Sequence, residues 1–382
     1  MGWASCHWYQ LNVKLLVRLW LRVGKILTLQ HWISTPSFTI CISITKGHTV
    51  VMKNLLRFLL SIQLKHSKFV QQVHGFTLIE LLVALLLAFL VITPLLGFMV
   101  NILSTDQKEQ AKANSEQEIQ TAIDYIANDL QQAVYIYDRT ALTTNSNTTP
   151  ASSGIQDQIP PVKSATGCSS TATCKPILVF WKRKFISAAI TAPGSTTDDT
   201  FVYSLVAYYL IKDSTSSTTW SNAARIARFE IRDGVLASSG SNGNCGSDYP
   251  NDTYINTTTY CPDAGFQRFN LNLPGAAGIK NQMNSWKTAS SAYTQQASVL
   301  IDFIDQTSIA STPTCSTGTL SYGSFMGFYT CVDVANTTAQ VFLRGNALAR
   351  LQSSNFDYSS TNQTYFPTAS VRVQGRGYLY TK

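Results

Sequence analysis

The chain has 382 residues, a hydrophobic content of 45% and a formal net charge of +8. The positive charge is concentrated in residues 1–75, which contain nine Lys and Arg side chains and no Asp or Glu, whereas residues 76–382 contain 20 basic and 21 acidic side chains. The larger part of the chain is therefore close to neutral. Its overall charge gives no support for nucleic-acid binding, which depends on a basic surface.

Histidine gives a second exclusion, because all five histidines precede position 76. The remaining chain lacks Ser-His-Asp and Cys-His catalysis and histidine metal sites. Two carboxylate pairs, Asp198 with Asp199 and Asp302 with Asp305, could bind Ca²⁺ or act as acid and base, but solvated loops and strand-end turns explain them as well. We expect no enzymatic activity, no catalytic or metal site and no cofactor.

Two segments at the start are expected not to belong to the mature protein. Residues 1–51 contain four tryptophans and an apolar, basic stretch over 13–29, which is unusual for a leader. We interpret them as an overcalled start preceding Met52; the alternative is an extra amphipathic helix on the membrane surface. Residues 52–75 then form a basic leader without acidic side chains.

The most informative feature is the 28-residue stretch from Phe76 to Leu103, in which Glu80 is the only charged side chain. As a helix it would span roughly 42 Å, enough to cross the ~30 Å hydrocarbon core of a bilayer. An ionisable group there costs a few kcal/mol unless it has a partner. A cut after Gly75 would create one, because a neighbouring copy could offer the free α-amine of its Phe76 to this carboxylate.

Gly75 and the following FTLIE segment, Phe76–Glu80, resemble the class III signal of type IV pilins and type II secretion pseudopilins. An ordinary secretory signal has its apolar run before the cleavage site, whereas this run begins at the site. The resemblance implies cleavage after Gly75 by prepilin peptidase, methylation of the Phe76 amine and a role for Glu80 in subunit assembly. The other reading is a single-pass anchor with one tolerated Glu.

Charge and resemblance together predict topology and partners. Lys53, Arg57, Lys65 and Lys68 flank the apolar stretch on its amino side, and the positive-inside rule keeps that side cytoplasmic. Residues after Leu103 would be periplasmic before assembly. After assembly they would lie in a pilus or pseudopilus or on the cell surface. The implied partners are prepilin peptidase, other major and minor pseudopilins and an inner-membrane assembly platform; exported polysaccharide is a further candidate, and nucleic acid is not expected.

The helical pattern continues past the membrane segment, with apolar residues recurring every three or four positions between Ile119 and Val134. We predict a transmembrane or filament-core helix over 76–103 and an amphipathic helix over 104–138. Pro94 and Gly97 interrupt the apolar half, so we predict a kink or local melting there.

Residues 139–382 are predicted to form a β domain. β-branched and aromatic runs bounded by turn residues predict seven strands: Pro176–Trp181, Phe201–Ile211, Ala224–Ile231, Val299–Ile304, Tyr329–Val334, Gln340–Arg344 and Ser370–Tyr380. The predicted fold class is α+β, with the long amino-terminal helix packed on a mostly antiparallel sheet, as the pilin resemblance also implies.

Six cysteines follow the apolar stretch, and an even number in an oxidising compartment predicts disulfides. Local spacing favours sequential pairs that each staple one loop, although crossed bridges are also compatible with the sequence. The favoured pairs are Cys168 with Cys174, Cys245 with Cys261, and Cys315 with Cys331.

The long loops suggest recognition, since such loops often carry it. The main insert, Ala237–Ala297, and neighbouring segments contain large aromatic residues, for which burial in loop cores is favoured over sugar stacking: Trp220, Tyr249, Tyr254, Tyr260, Phe266 and Trp286. The segment Trp181–Phe185 (WKRKF) has the composition of a single-stranded nucleic-acid or anionic-glycan contact. A strand end protected by charge is the favoured reading.

The part after Gly75 is large for a major pilin, which favours a minor component. Segments 115–138, 341–348 and 375–377 resemble minor pseudopilins of cyanobacterial hormogonium polysaccharide secretion. The expected function is a structural subunit that supports polysaccharide secretion and gliding motility. The alternative is a minor pilin that acts as an adhesin or as a DNA- or glycan-binding subunit.

Overall fold

The computed structural model describes residues 76–191, 197–237, 245–246, 248–249, 254–255 and 259–377. The predictions for residues 1–51, for the leader 52–75 and for the strand segment 378–380 lie outside these residues. The residues from Ala84 onward form one compact unit, separate from the unit that ends at Val83.

A single α-helix, α1 (Leu78–Gln131), contains 54 residues. It passes through Pro94 and Gly97 without interruption, so this structure does not contain the local melting that was one of the two expectations there. The kink stays a prediction. In its later part, α1 buries one face and exposes the other, as the apolar spacing of three to four residues predicted. The buried face includes Ile119, Ile123, Ile126 and Leu130.

The helix ends at Gln131 rather than at residue 138, which corrects the predicted extent of the amphipathic helix. Strand β1 (Ala133–Ile136) follows at once and pairs antiparallel with residues Phe180 to Lys182. All four β1 residues are buried. A fully buried strand has no polar alternation, so its apolar residues could be read as another helical turn; long-range strand pairing decided against the helix.

The described strands form two antiparallel sheets, ordered β1-β2-β3-β4-β5 and β6-β7-β8-β9. The remaining bounds are β2 Cys174–Thr191, β3 Thr197–Ile211, β4 Ala224–Arg232, β5 Ser298–Ile304, β6 Thr319–Tyr322, β7 Phe328–Asp333, β8 Thr338–Arg344 and β9 Thr368–Gln374. Two short helices, α2 (Arg139–Thr143) and α3 (Gly278–Asn284), lie in the connections. Each predicted strand overlaps an observed one, and β6 was not predicted. The α+β class with mostly antiparallel sheets is confirmed.

The first sheet is buried on both faces, which explains the nearly continuous apolar run in β3. Val206 and Tyr208 join the core shared by α1 and both sheets, whereas Leu205 and Tyr209 face a second core on the opposite side. The long inserts cover that second face, since Phe266, Met283 and Trp286 pack there. The loops therefore complete the core, in addition to connecting strands.

The three disulfides pair sequentially, as local spacing favoured. The Cα–Cα distances are 5.7 Å for Cys168–Cys174, 5.5 Å for Cys245–Cys261 and 5.7 Å for Cys315–Cys331. Each bridge closes a short loop of the domain and reduces the entropy of its unfolded chain.

A buried charge cluster joins α1 to the first sheet. Asp129, near the end of the helix, accepts hydrogen bonds from Lys182, Tyr208 and Arg228, each at 2.7 Å. Glu230 completes the cluster, 2.8 Å from Arg228 Nη2. Burial alone raises the pKa of Asp129, but attraction and hydrogen bonds from the two cations outweigh this and hold its pKa below the usual range.

A second contact holds α1 earlier in its sequence. The Arg350 side chain donates to Ser115 Oγ at 3.0 Å, pairs with Glu118 and lies over the Phe303 ring at 4.1 Å. The helix is thus held by polar contacts at both ends of its buried face.

We predict that Asp129→Asn destabilises the domain by about 3 kcal/mol, because the substitution leaves two buried cations short of a counter-charge. Urea unfolding of the full chain in detergent, followed by tryptophan fluorescence, measures the loss. Asp124→Asn, on an exposed position of the same helix, should change the free energy of unfolding by less than about 0.5 kcal/mol. Equal effects of the two substitutions would contradict the role of the cluster.

The same cluster predicts an acid-sensitive contribution to stability. The pKa of Asp129 and that of Glu230 are both lower in the folded protein than usual, whereas unfolded carboxyls titrate near 3.9 and 4.3. Their contribution is therefore complete above about pH 5 and is lost as the pH falls through the lowered values. Unfolding measured against pH should show a smaller acid loss for Asp129→Asn than for the wild type.

Candidate functional site

The amino-terminal start of α1 forms the candidate site. The backbone N–H of Glu80 donates to Thr77 Oγ1 at 3.3 Å, and that of Leu81 donates to the Thr77 carbonyl at 3.2 Å. Thr77 thus caps the helix, which begins at Leu78. Glu80 lies in the first turn, where the helix dipole favours a carboxylate.

Both residues of the expected amine–carboxylate pairing are accessible. Phe76 is 81% exposed, and Glu80 is exposed one turn further along. Among the described residues, no salt bridge is formed by Glu80. Its carboxylate is available to a group from another chain.

The apolar segment that follows is exposed along its whole length. Its large side chains from Leu78 to Leu103 are 46–84% exposed. Within the described part of the chain, α1 is the one helix long and apolar enough to cross a membrane, and none of its most apolar stretch is buried. Continuous apolar surface of this size requires a bilayer or neighbouring chains.

The carboxylate pairs considered for calcium or acid–base chemistry serve local structure. Asp302 accepts from Ser221 at 2.7 and 2.8 Å, and the buried Asp305 accepts from Thr307 and pairs with Arg344. Asp199 accepts from the backbone N–H of Ala188. In the part of the chain that the structure describes, no three His, Cys, Asp or Glu side chains cluster as metal ligands.

Most of the named aromatic residues of the inserts are buried, as the sequence favoured. Tyr249, Tyr254, Phe266 and Trp286 are at most 5% exposed. Tyr260 is partly buried, and Trp220, which precedes the main insert, is 39% exposed. The four buried aromatics therefore support the fold.

The Trp181–Phe185 segment lies within β2, not at its end, which corrects the favoured reading. Its side chains alternate between environments. Trp181 is fully buried in the second core, and Lys182 and Lys184 pair with Asp129 and Glu230. Arg183 and Phe185 are exposed. Sequence reasoning missed Phe201, the exposed partner of Phe185 across the strands, which the register alone identifies.

A family model described as the prokaryotic N-terminal methylation motif matches residues 71–96. No curated protein matches the chain, and no solved structure matches it. The matched residues comprise the signal and the first turns of α1, so the chain carries a type IV pilin-like signal and the match supports a pilin or pseudopilin subunit. Such subunits are structural and generally non-enzymatic. The motif also implies processing by prepilin peptidase and assembly with pilin-type subunits.

A second charge in the apolar segment should impair membrane integration. Leu90→Arg replaces an exposed apolar side chain near the middle of the segment, at a cost of about 3 kcal/mol in a bilayer. We expect a smaller fraction of the chain to remain in the membrane pellet after alkaline carbonate extraction. Gln107→Arg, at an exposed position beyond the apolar stretch, should leave that fraction unchanged. Equal retention of both variants would contradict membrane anchoring by this segment.

Proposed function

We propose that the protein is a minor pseudopilin, a non-enzymatic structural subunit of a type IV pilus or type II secretion-like apparatus. The observation that carries the proposal is Glu80, the single charge on the exposed apolar part of α1, placed five residues after the Gly75 of a matched methylation motif. Cleavage after Gly75 would create a free amine at Phe76, and a neighbouring copy shifted along the helix axis could bring its amine to this carboxylate.

Assembly would also cover the apolar surface. In the bilayer, lipid surrounds the segment from Phe76 to Leu103; in a filament, equivalent helices of other subunits replace the lipid. The amine–carboxylate pair then forms in a low-dielectric environment, where opposite charges attract strongly and an unpaired charge is costly. The pairing would therefore set the axial register between subunits.

The orientation and the transported material complete the proposal. The basic residues before Phe76 would keep the leader in the cytoplasm, and the β domain would face the periplasm and then the pseudopilus or cell surface. The resemblance of segments 115–138, 341–348 and 375–377 to minor pseudopilins of polysaccharide secretion supports an apparatus that exports polysaccharide and serves gliding motility.

The first test is the amino terminus of the protein from its native membrane and surface fractions. Mass spectrometry should find a peptide that begins at N-methylated Phe76. A strain without prepilin peptidase provides the control, since the leader should then remain. A terminus at Met52 or Met1 in the wild-type strain would refute the pseudopilin proposal and leave a single-pass anchored domain.

The second test concerns assembly. Glu80→Ala should leave membrane insertion intact, because it removes a charge from the apolar segment, but should reduce incorporation into surface filaments by at least about tenfold, since the amine of the neighbour loses its partner. Immunoblots of sheared surface material against total membrane measure the ratio. Glu109→Ala, which removes an exposed carboxylate of α1 beyond the apolar segment, is the matched control. Normal incorporation of Glu80→Ala would contradict the pairing mechanism.

A further inference from the structure

The hairpin of β2 and β3 carries an exposed aromatic pair. Phe185 and Phe201 lie directly opposite each other in the strand register. Their ring centroids are 5.4 Å apart with an interplanar angle of 64°. They are 51% and 53% exposed, more than any other aromatic side chain described after residue 103. Such a pair on two hydrogen-bonded strands presents aromatic surface to solvent.

Two arginines flank the pair. The Arg183 guanidinium lies 4.5 Å from the Phe201 ring centroid, and Arg376 joins the phenylalanines around an open cavity of about 360 Å³. Gln131 and Gln132 contribute amide groups, and none of the described residues that line the cavity is acidic. Among the described residues, no carboxylate forms a salt bridge with Arg183 or Arg376.

The backbone holds Arg376 in this position. The N–H of Arg376 donates to the Gln131 carbonyl and that of Gly377 to the Ala133 carbonyl, both at 3.0 Å. A Cβ atom on Gly377 would lie 2.3 Å from the Val134 side chain, so only glycine allows this close approach. The end of α1, the start of β1 and the chain after β9 thus meet at one place, which positions Arg376 beside the two phenylalanines.

We propose that this surface, formed by Phe185, Phe201, Arg183 and Arg376 and called here the Phe185–Phe201 surface, binds an acidic polysaccharide. The C–H groups of a pyranose ring carry partial positive charge and suit the negative face of an aromatic ring. A uronate carboxylate suits the planar, bidentate donor pattern of arginine. Carboxamides of the two glutamines supply donors and acceptors for sugar hydroxyls.

The charge distribution favours a glycan over single-stranded nucleic acid. A nucleic-acid groove needs cations repeated along several phosphates. Here the neighbouring cations of β2, Lys182 and Lys184, belong to the opposite face of the strand and are paired with Asp129 and Glu230. Two arginines beside one aromatic pair match a short stretch of acidic sugar. This inference goes beyond the proposed function and does not rest on it, because Glu80 takes no part in the surface.

The test measures binding of an oligogalacturonate to the full chain in detergent micelles by microscale thermophoresis. The wild type should bind the acidic oligomer, and the fully methyl-esterified oligomer should bind at least about fivefold more weakly because it offers no carboxylate to arginine. Phe185→Ala with Phe201→Ala should weaken binding by about tenfold. Arg183→Gln with Arg376→Gln should weaken it by a similar factor and remove the preference for the acidic oligomer.

Matched controls lie elsewhere on the domain. Trp220→Ala removes an exposed aromatic residue that also has an arginine near its ring, and Arg372→Gln removes an exposed arginine of β9; each should change the affinity by less than about twofold. Absence of oligogalacturonate binding, equal binding by the double variants, or binding of oligothymidylate in its place would overturn the proposal. Glycan binding retained in Glu80→Ala would support it irrespective of assembly.

Discussion

The buried carboxylate of Asp129 is the constraint on which the rest of the domain depends. Within the described residues, it is the one side chain that joins α1, β2, β3 and β4 by hydrogen bonds, through Lys182, Tyr208 and Arg228. Desolvating these groups costs free energy. The cluster therefore contributes to stability only if each buried charge has a partner of opposite sign. Directional hydrogen bonds from three strands to one carboxylate allow a single geometry, in addition to the constraint that side-chain packing supplies. We interpret the cluster as the device that sets the position of the helix on the sheet.

That position matters because α1 has two different environments along its sequence. Its later part buries a stripe against both sheets, and its earlier part exposes apolar side chains all around. Among the described residues, none outside α1 covers this earlier part. In the proposed function, lipid and then other subunits cover it. In the proposed assembly, the register set by Glu80 between helices is passed to the β domain through the Asp129 and Arg350 contacts. The spacing of domains along a filament would follow from these few polar groups.

Several elements of the domain were predictable because their signals are local. The apolar spacing of α1, the β-branched runs of the strands, and the short cysteine separations each reflect interactions between residues close in sequence. Strand β1 was mistaken for helix because a strand buried on every side shows no alternation. Strand β6, only four residues long, offered too short a pattern. In the WKRKF segment, successive side chains lie on opposite faces of β2, so Lys182 forms a buried ion pair and Phe185 is exposed. The composition of the segment does not indicate which face of the strand the rest of the domain covers.

The sequence by itself determined the apolar segment long enough to cross a membrane, the pilin-like signal that contains Gly75, Phe76 and Glu80, and the absence of histidine after position 75, because each depends on residue type and short spacing. It favoured the sequential disulfide pairs, which the structure contains. Only the tertiary structure decided where α1 ends, which charges are buried, and that Phe185, Phe201, Arg183 and Arg376 share one surface. These last features depend on strand register and on contacts between residues far apart in the chain. Each of these contacts lowers the free energy only when the fold brings its two residues together. A pattern of neighbouring residues in the sequence therefore cannot indicate them.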